Sequence, residues 1–116
     1  MEHRMGLYDT PFNSIKSGRK KVEVRLNDEK RRQLKVGNTI TFTHIPNSSK
    51  KLTVKVTELV AYPTFREMYE DIPASDLDAT GCSIDEMVEQ TYEIYTSEQE
   101  HEWGTLAIGV EMVKGK

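Results

Sequence analysis

Apolar and polar residues recur along this chain with spacings that predict a series of short elements. Asp9-Thr10-Pro11 opens a helix with a capping side chain, then a proline whose missing N–H does no harm there. Phe12 and Ile15 form its apolar side, and Gly18 suits a left-handed C-terminal cap. Lys20 to Leu26 alternates as a strand, with Val22, Val24 and Leu26 on one face and Lys21, Glu23 and Arg25 on the other. Asn27 to Arg32 reads as one or two helical turns, its acids first and its bases last, as the helix dipole prefers. Val36-Gly37-Asn38 turns the chain into a strand from about Thr39 to Ile45. Pro46-Asn47-Ser48-Ser49 then joins that strand to another over Leu52 to Val60, as a hairpin.

Thr64-Phe65-Arg66-Glu67 is a capping box that starts a helix burying Phe65, Met68 and Tyr69. Ser83-Ile84-Asp85-Glu86 is a second one, and the helix after it carries Ile84, Met87, Val88, Thr91 and Tyr95 on one side. Thr105 to Val113 closes the chain as a strand. Strands dispersed among short helices, without regular βαβ alternation, predict an α+β fold with a mostly antiparallel, barrel-like sheet.

With 116 residues, 36% hydrophobic and 30% charged, the chain has the size and balance of one folded domain over 1–116. It contains no apolar run near the roughly 18 residues that span a bilayer, and no signal-peptide core, so no membrane association is expected. Cys82 is the single cysteine, so an internal disulfide is excluded and a cytoplasmic setting is the simplest reading.

Charge changes the picture more than composition does. From Lys16 to Lys35 there are nine Lys or Arg against three Asp or Glu; from Val56 onward three bases face fourteen acids. The net charge of −3 therefore hides a dipole, and its concentrated positive pole suggests a discrete anionic ligand. Lys20, Lys21 and Arg25 can meet a phosphate or a carbonyl oxygen, Arg25 bidentately. Glu23 among them either has its pKa lowered or holds a lysine in place. The plainer alternative is a solvated strand face whose charges pair across the sheet. Strict alternation sets Lys20 on the face of the valines, so it lies at the strand's mouth or marks a bulge.

Arg31, Arg32 and Lys35 read as a solvated helix face that widens an anionic groove, and Lys50-Lys51 as a hairpin tip. Cys82 reads as a structural thiol, because no motif links it to a histidine base. The three histidines lack metal-ligand spacing, so neither a metal nor a cofactor is implied. Trp103 can either stack on a base or close one end of the barrel.

Taken together, Pro11-Phe12, Ile15-Lys16-Ser17-Gly18-Arg19-Lys20, Val22-Glu23-Val24-Arg25, Leu34-Lys35-Val36-Gly37-Asn38 and Ile40-Thr41-Phe42 resemble the ASCH domain. Tyr62-Pro63-Thr64-Phe65 and Gly104-Thr105-Leu106-Ala107-Ile108 extend the resemblance over nearly the whole chain, with Asn38 where an aspartate is usual. The resemblance implies a PUA-like β-barrel, with short helices covering a cleft that accepts RNA or a nucleoside. The family has been linked to RNA-related coactivation, ribonuclease action and nucleoside amide hydrolysis.

In small bacterial members that hydrolyse N4-acetylcytidine, a lysine, a threonine three residues later and a downstream glutamate form the site. Lys20 matches the lysine, Glu23 replaces the threonine, and Asp78 is the acid nearest the third position. The expectation is therefore binding of RNA or a nucleoside derivative, with Arg19, Lys21, Arg25, Tyr8, Tyr62 and Trp103 as ligand contacts. Hydrolysis centred on Lys20 and Glu23 is the alternative. A protein–protein module using the acidic helix 83–95 is a third reading. A concave placement of Lys20, Glu23 and Arg25 separates the first two from the third.

Overall fold

The computed structural model describes residues 2–113. Five strands form one sheet: β1 (Glu2–Tyr8), β2 (Val22–Leu26), β3 (Thr39–Ile45), β4 (Lys51–Tyr62) and β5 (Thr105–Met112). The helices are α1 (Asp9–Lys16), α2 (Phe65–Asp71), α3 (Ile84–Thr91) and α4 (Ser97–Trp103), with 3-10 turns at Arg31–Gln33 and Ala74–Asp76. The strand order is β1-β3-β4-β5-β2, so β1 and β2 are the two edges. Three pairings are antiparallel and one, β1 with β3, is parallel. The fold is α+β, as expected, but the barrel is open: no ladder joins β1 to β2.

The strand β1 was not anticipated. Its burial alternates through His3, Met5 and Leu7, but a histidine and Gly6 within seven residues weaken the apolar signal. Helix α4 was also missed, although Thr96 and Gln99 form a complete capping box. Its sequence, Ser-Glu-Gln-Glu-His-Glu-Trp, has no apolar stripe for periodicity to detect. Helix α3 has the full Ser83–Glu86 capping box and ends at Thr91, short of Tyr95. At α2 the box is only half made: Thr64 accepts from the Glu67 N–H, and its hydroxyl donates to the Glu67 carboxylate. The turns expected over 27–32 shrink to the 3-10 turn, held by the Asp28 carboxylate accepting from the Arg31 N–H.

Two apolar clusters lie on opposite faces of the sheet. The barrel interior holds Ile40, Phe42, Val54, Val56, Leu106 and Ile108, with Phe12 and Ile15 from α1 and Leu34. The other face packs Leu26, Val22, Val24 and Ala107 against Phe65, Met68, Tyr69, Met87 and Val88 of α2 and α3. A bulge between Val56 and Glu58 bends β4 over Gly109, where a Cβ would lie 3.2 Å from the Glu58 backbone nitrogen.

This second cluster shows which way β2 faces. Its valines face the helices, while Glu23 and Arg25 pair in register with Ile108 and Leu106 and point to the barrel interior. Apolar alternation marked a buried face correctly but could not say which of two buried faces it was. The strand also begins at Val22, so Lys20 is not part of it and marks no bulge; it makes an isolated bridge with Leu77 at the mouth.

Candidate functional site

The missing seam between β1 and β2 is a cleft of about 400 Å³. Gly6, Leu7 and Tyr8 of β1 with Thr10 and Ser14 of α1 form one bank; Lys20, Glu23 and Arg25 form the other. Tyr69, Met87, Thr91 and Tyr95 come from the helical layer, and Leu77 to Cys82 close the side.

Glu23 is the centre of the charged group, with a side chain only 6% exposed. Arg25 Nε donates to its Oε2 at 2.7 Å. Lys20 Nζ forms an ion pair with Oε1 at 2.9 Å, so each carboxylate oxygen faces one cation. Burial by itself would raise the Glu23 carboxyl, but the charges of Lys20 and Arg25 outweigh it and hold it below the ordinary value of 4.5. The carboxylate is thus ionised at neutral pH and paired on both oxygens.

Arg25 does a second job. Its Nη2 donates to the Gly6 carbonyl of β1 at 2.7 Å, bridging the two edge strands, and its guanidinium lies 6.0 Å from the Phe42 ring centre. Lys30 Nζ reaches the Arg4 carbonyl two residues along the same strand, also at 2.7 Å. The outward carbonyls of β1 therefore meet cations where a neighbouring strand would have supplied N–H groups.

These contacts revise the charge pattern. Of the nine bases between Lys16 and Lys35, six have partners inside the protein: Arg19 with Asp78, Lys20 and Arg25 with Glu23, Lys30 with Arg4, Arg31 with Asp28, and Arg32 with Asn27. Lys16, Lys21 and Lys35 are exposed. Much of the positive excess is thus committed within the protein, with Arg25 and Lys30 reaching β1 across the seam.

The expected site residues separate into two groups. Lys20, Glu23, Arg25 and Tyr8 line the cleft, Tyr8 at its lip and 62% exposed. Arg19 stands at the rim, its Nε 3.2 Å from Asp78 Oδ2. Lys21 is exposed and outside the lining, its backbone N–H donating to the Asp76 carbonyl. Tyr62 and Trp103 are not part of the cleft. Tyr62 donates to Asp71, and burial together with that carboxylate pushes its hydroxyl up to about 12. Trp103 is the last residue of α4, with the Arg32 guanidinium 5.6 Å from its ring centre, and it packs against the helical-layer cluster.

Ser14 lines the cleft without any sequence signal, whereas Asp78 was marked only by the resemblance and Tyr69, Met87, Thr91 and Tyr95 only as buried faces. Ser14 donates to Asp78 Oδ2 at 2.7 Å, and that hydrogen bond with the one from Arg19 lowers the Asp78 pKa. Asp78 holds a left-handed backbone, φ 53°. Tyr69 and Thr91 are joined by their hydroxyls at 2.6 Å; Thr91 donates onward to the Met87 carbonyl, so Tyr69 is the donor between them. Tyr95 stacks on Phe65. The apolar spacing of Tyr69 in one helix, and of Met87, Thr91 and Tyr95 after Ser83, marked this wall as buried.

The model of the ASCH domain family matches residues 5–114. The chain belongs to that family. Among solved structures, the ASCH domain described here is similar to the crystal structure of the hypothetical protein PH0355, at 37% identity with a TM-score of 0.87, covering 97% of this chain and all of that one. It is also similar to the solution structure of protein PF0455 from Pyrococcus furiosus, at 35% identity with a TM-score of 0.76, covering 99% and 100% of the two chains. An ASCH domain from Lactobacillus crispatus shares the fold at 13% identity and a TM-score of 0.59, over 95% of this chain and 79% of that one. No curated protein matches. Among the described residues, no helix of this ASCH domain is long and apolar enough to cross a membrane.

Proposed function

We propose that this ASCH domain binds a nucleoside, or one unpaired nucleotide of RNA, in the β1–β2 cleft. The observation that carries the reading is the convergence of Lys20, Glu23 and Arg25 on a concave surface of about 400 Å³. That volume lies within the roughly 300–1,000 Å³ of small-molecule sites. A protein–protein module would present these charges on a flat or convex face. The aromatic rings of Tyr8, Tyr69 and Tyr95 give a planar base apolar surface to lie against. Only three of the nine bases between Lys16 and Lys35 are uncommitted, Lys16, Lys21 and Lys35, which favours a short ligand over a long polyanion track.

Binding is favoured over hydrolysis because Glu23, ionised and held low by its two cations, is a weak proton acceptor. Hydrolysis is kept as a second reading on one observation: Lys20, Glu23 and Asp78 all line the same cleft.

A thermal-shift screen of nucleosides, modified nucleosides and short single-stranded RNA tests the first reading. Lys20→Ala is expected to abolish the shift, whereas Arg19→Ala, a rim residue already paired with Asp78, is expected to change it little. Equal losses that vanish at high salt would reduce the cleft to a diffuse electrostatic patch. Incubation with N4-acetylcytidine tests the second: cytidine release that depends on Lys20 supports it, and none above the Lys20→Ala background dismisses it.

A further inference from the structure

Glu23 and Asp78 are the two carboxylates on the cleft lining, and they stand in opposite states. Glu23 is buried with a cation at each oxygen, so a ligand finds nothing free there. Asp78 is anchored through one oxygen alone. Its Oδ2 accepts from the Ser14 hydroxyl at 2.7 Å and from Arg19 Nε at 3.2 Å. Among the described residues no group donates to Oδ1, and the side chain is 31% exposed. The two donors to Oδ2 hold the Asp78 carboxyl below its ordinary 3.8, so at neutral pH it is an anion that only accepts.

The cleft also has a gradient from apolar to polar. Tyr69 and Met87 are buried in the helical wall, whereas Asp78 and its partner Arg19 stand in water at the rim. A nucleoside carries the matching gradient: a planar base with apolar faces, and a sugar whose hydroxyls need water or an acceptor. Seated with its base against the aromatic wall, it leaves the sugar at the rim. Asp78 is already held there, by the buried Ser14 of α1 and by a left-handed backbone, φ 53°, that aspartate tolerates better than most residues.

We infer that Asp78 Oδ1 accepts a hydrogen bond from the ribose diol of the bound nucleoside, so that the rim of the cleft tests the sugar. This deepens the nucleoside reading and rests on it. A hydroxyl donating to a carboxylate makes a charge-assisted bond, and an acid on a ribose hydroxyl recurs in dinucleotide sites of unrelated fold. A sugar without the diol offers Oδ1 no donor in exchange for its water, so such ligands are disfavoured.

The test compares adenosine with 2′,3′-dideoxyadenosine, and cytidine with 2′,3′-dideoxycytidine, by calorimetry on the intact protein. Loss of the diol is expected to weaken binding at least about fivefold, the low end for a charge-assisted bond because Asp78 is partly exposed. In Asp78→Gly, which removes the carboxylate and suits the left-handed backbone, that ratio is expected to fall below about twofold. Asp78→Asn, a neutral and weaker acceptor of the same shape, is expected to lie between them. A merely structural Asp78 would weaken both members of each pair alike and leave the ratio unchanged.

If nucleosides bind and the wild-type protein tolerates loss of the diol within about twofold, the sugar inference is overturned while nucleoside binding stands. That comparison needs no variant, so a misfolded Asp78→Gly would not protect the inference. A wild-type ratio that persists in folded Asp78→Gly overturns it too, because another group then reads the sugar. Methyl β-D-ribofuranoside separates the two claims in the other direction. Shifts of the Leu77, Asp78 and Ala79 amide signals on its addition, with no nucleoside binding, would keep the sugar contact and overturn the nucleoside reading. Silence from every probe overturns both.

Discussion

Between β3, β4 and β5 the barrel is closed by backbone ladders, and Ile40, Phe42, Val54, Val56 and Ile108 fill its interior. Between β1 and β2 there is no ladder, and the inward side chains are Glu23 and Arg25. Both regions bury side chains, but by different physics. The apolar wall gains from every area removed from water and tolerates no ligand. The seam buries charge, which is tolerable only while Glu23, Lys20 and Arg25 compensate one another. In return it leaves an opening through which a small molecule reaches polar groups already in place. A sixth strand in the gap would have satisfied the edges of β1 and β2 and removed the cleft.

The contrast is sharpest in the cost of breaking each side. Phe42→Ala, at a position with no exposure, is expected to lower unfolding stability by about 3–5 kcal/mol in urea titrations. A loss under about 1 kcal/mol would mean that the wall is not the stabilising half. Arg25→Ala, which removes the bridge to Gly6 and leaves Glu23 with one cation, is expected to cost about 2–4 kcal/mol. The paired substitution Glu23→Met with Arg25→Met is expected to cost less than Arg25→Ala alone, because it leaves no half-compensated charge at that pair. The reverse order would show that charge balance at that pair is not what sets the cost.

Acid separates the two regions without mutation. Glu23 has a folded pKa below its ordinary 4.5, so its contribution is fully present above that pH and is lost as pH falls through the folded value. Asp9 and Asp78 are lowered too, by hydrogen bonds to His44 and to Ser14 and Arg19, and add in the same window. Melting temperature is therefore expected to fall on the acid side of pH 4.5, and Glu23→Gln to flatten that fall in part. An unchanged profile in the variant would remove Glu23 from the balance.

The smallest effect expected is that of Lys30→Ala. Its contact with the Arg4 carbonyl is exposed, and its loss is expected to cost no more than about 0.5–1 kcal/mol. Hydrogen exchange is expected to accelerate in β1 and not in β4 or β5, since only β1 relies on that cation.

The spacing of residues by itself determined the hairpin of β3 and β4, the caps of α2 and α3, the final strand and the α+β class. Each rests on local chemistry: period-two alternation, a hydroxyl three residues before an acid, a turn at Gly37-Asn38. It also singled out Lys20, Glu23 and Arg25, because a carboxylate among cations on a short strand is visible in any linear reading. Only the tertiary structure decided which way that strand faces. With helices on one side and the barrel interior on the other, both faces of β2 are buried, so the apolar face could be either, and the valines took the helices. It alone brought β1 beside β3 and made Arg25 and Lys30 serve as its missing neighbour. It also sent Tyr62 and Trp103 away from the cleft and brought Ser14 and Asp78 to it across sixty-four residues of chain. Such juxtapositions are set by packing between distant segments, and local spacing carries no record of them.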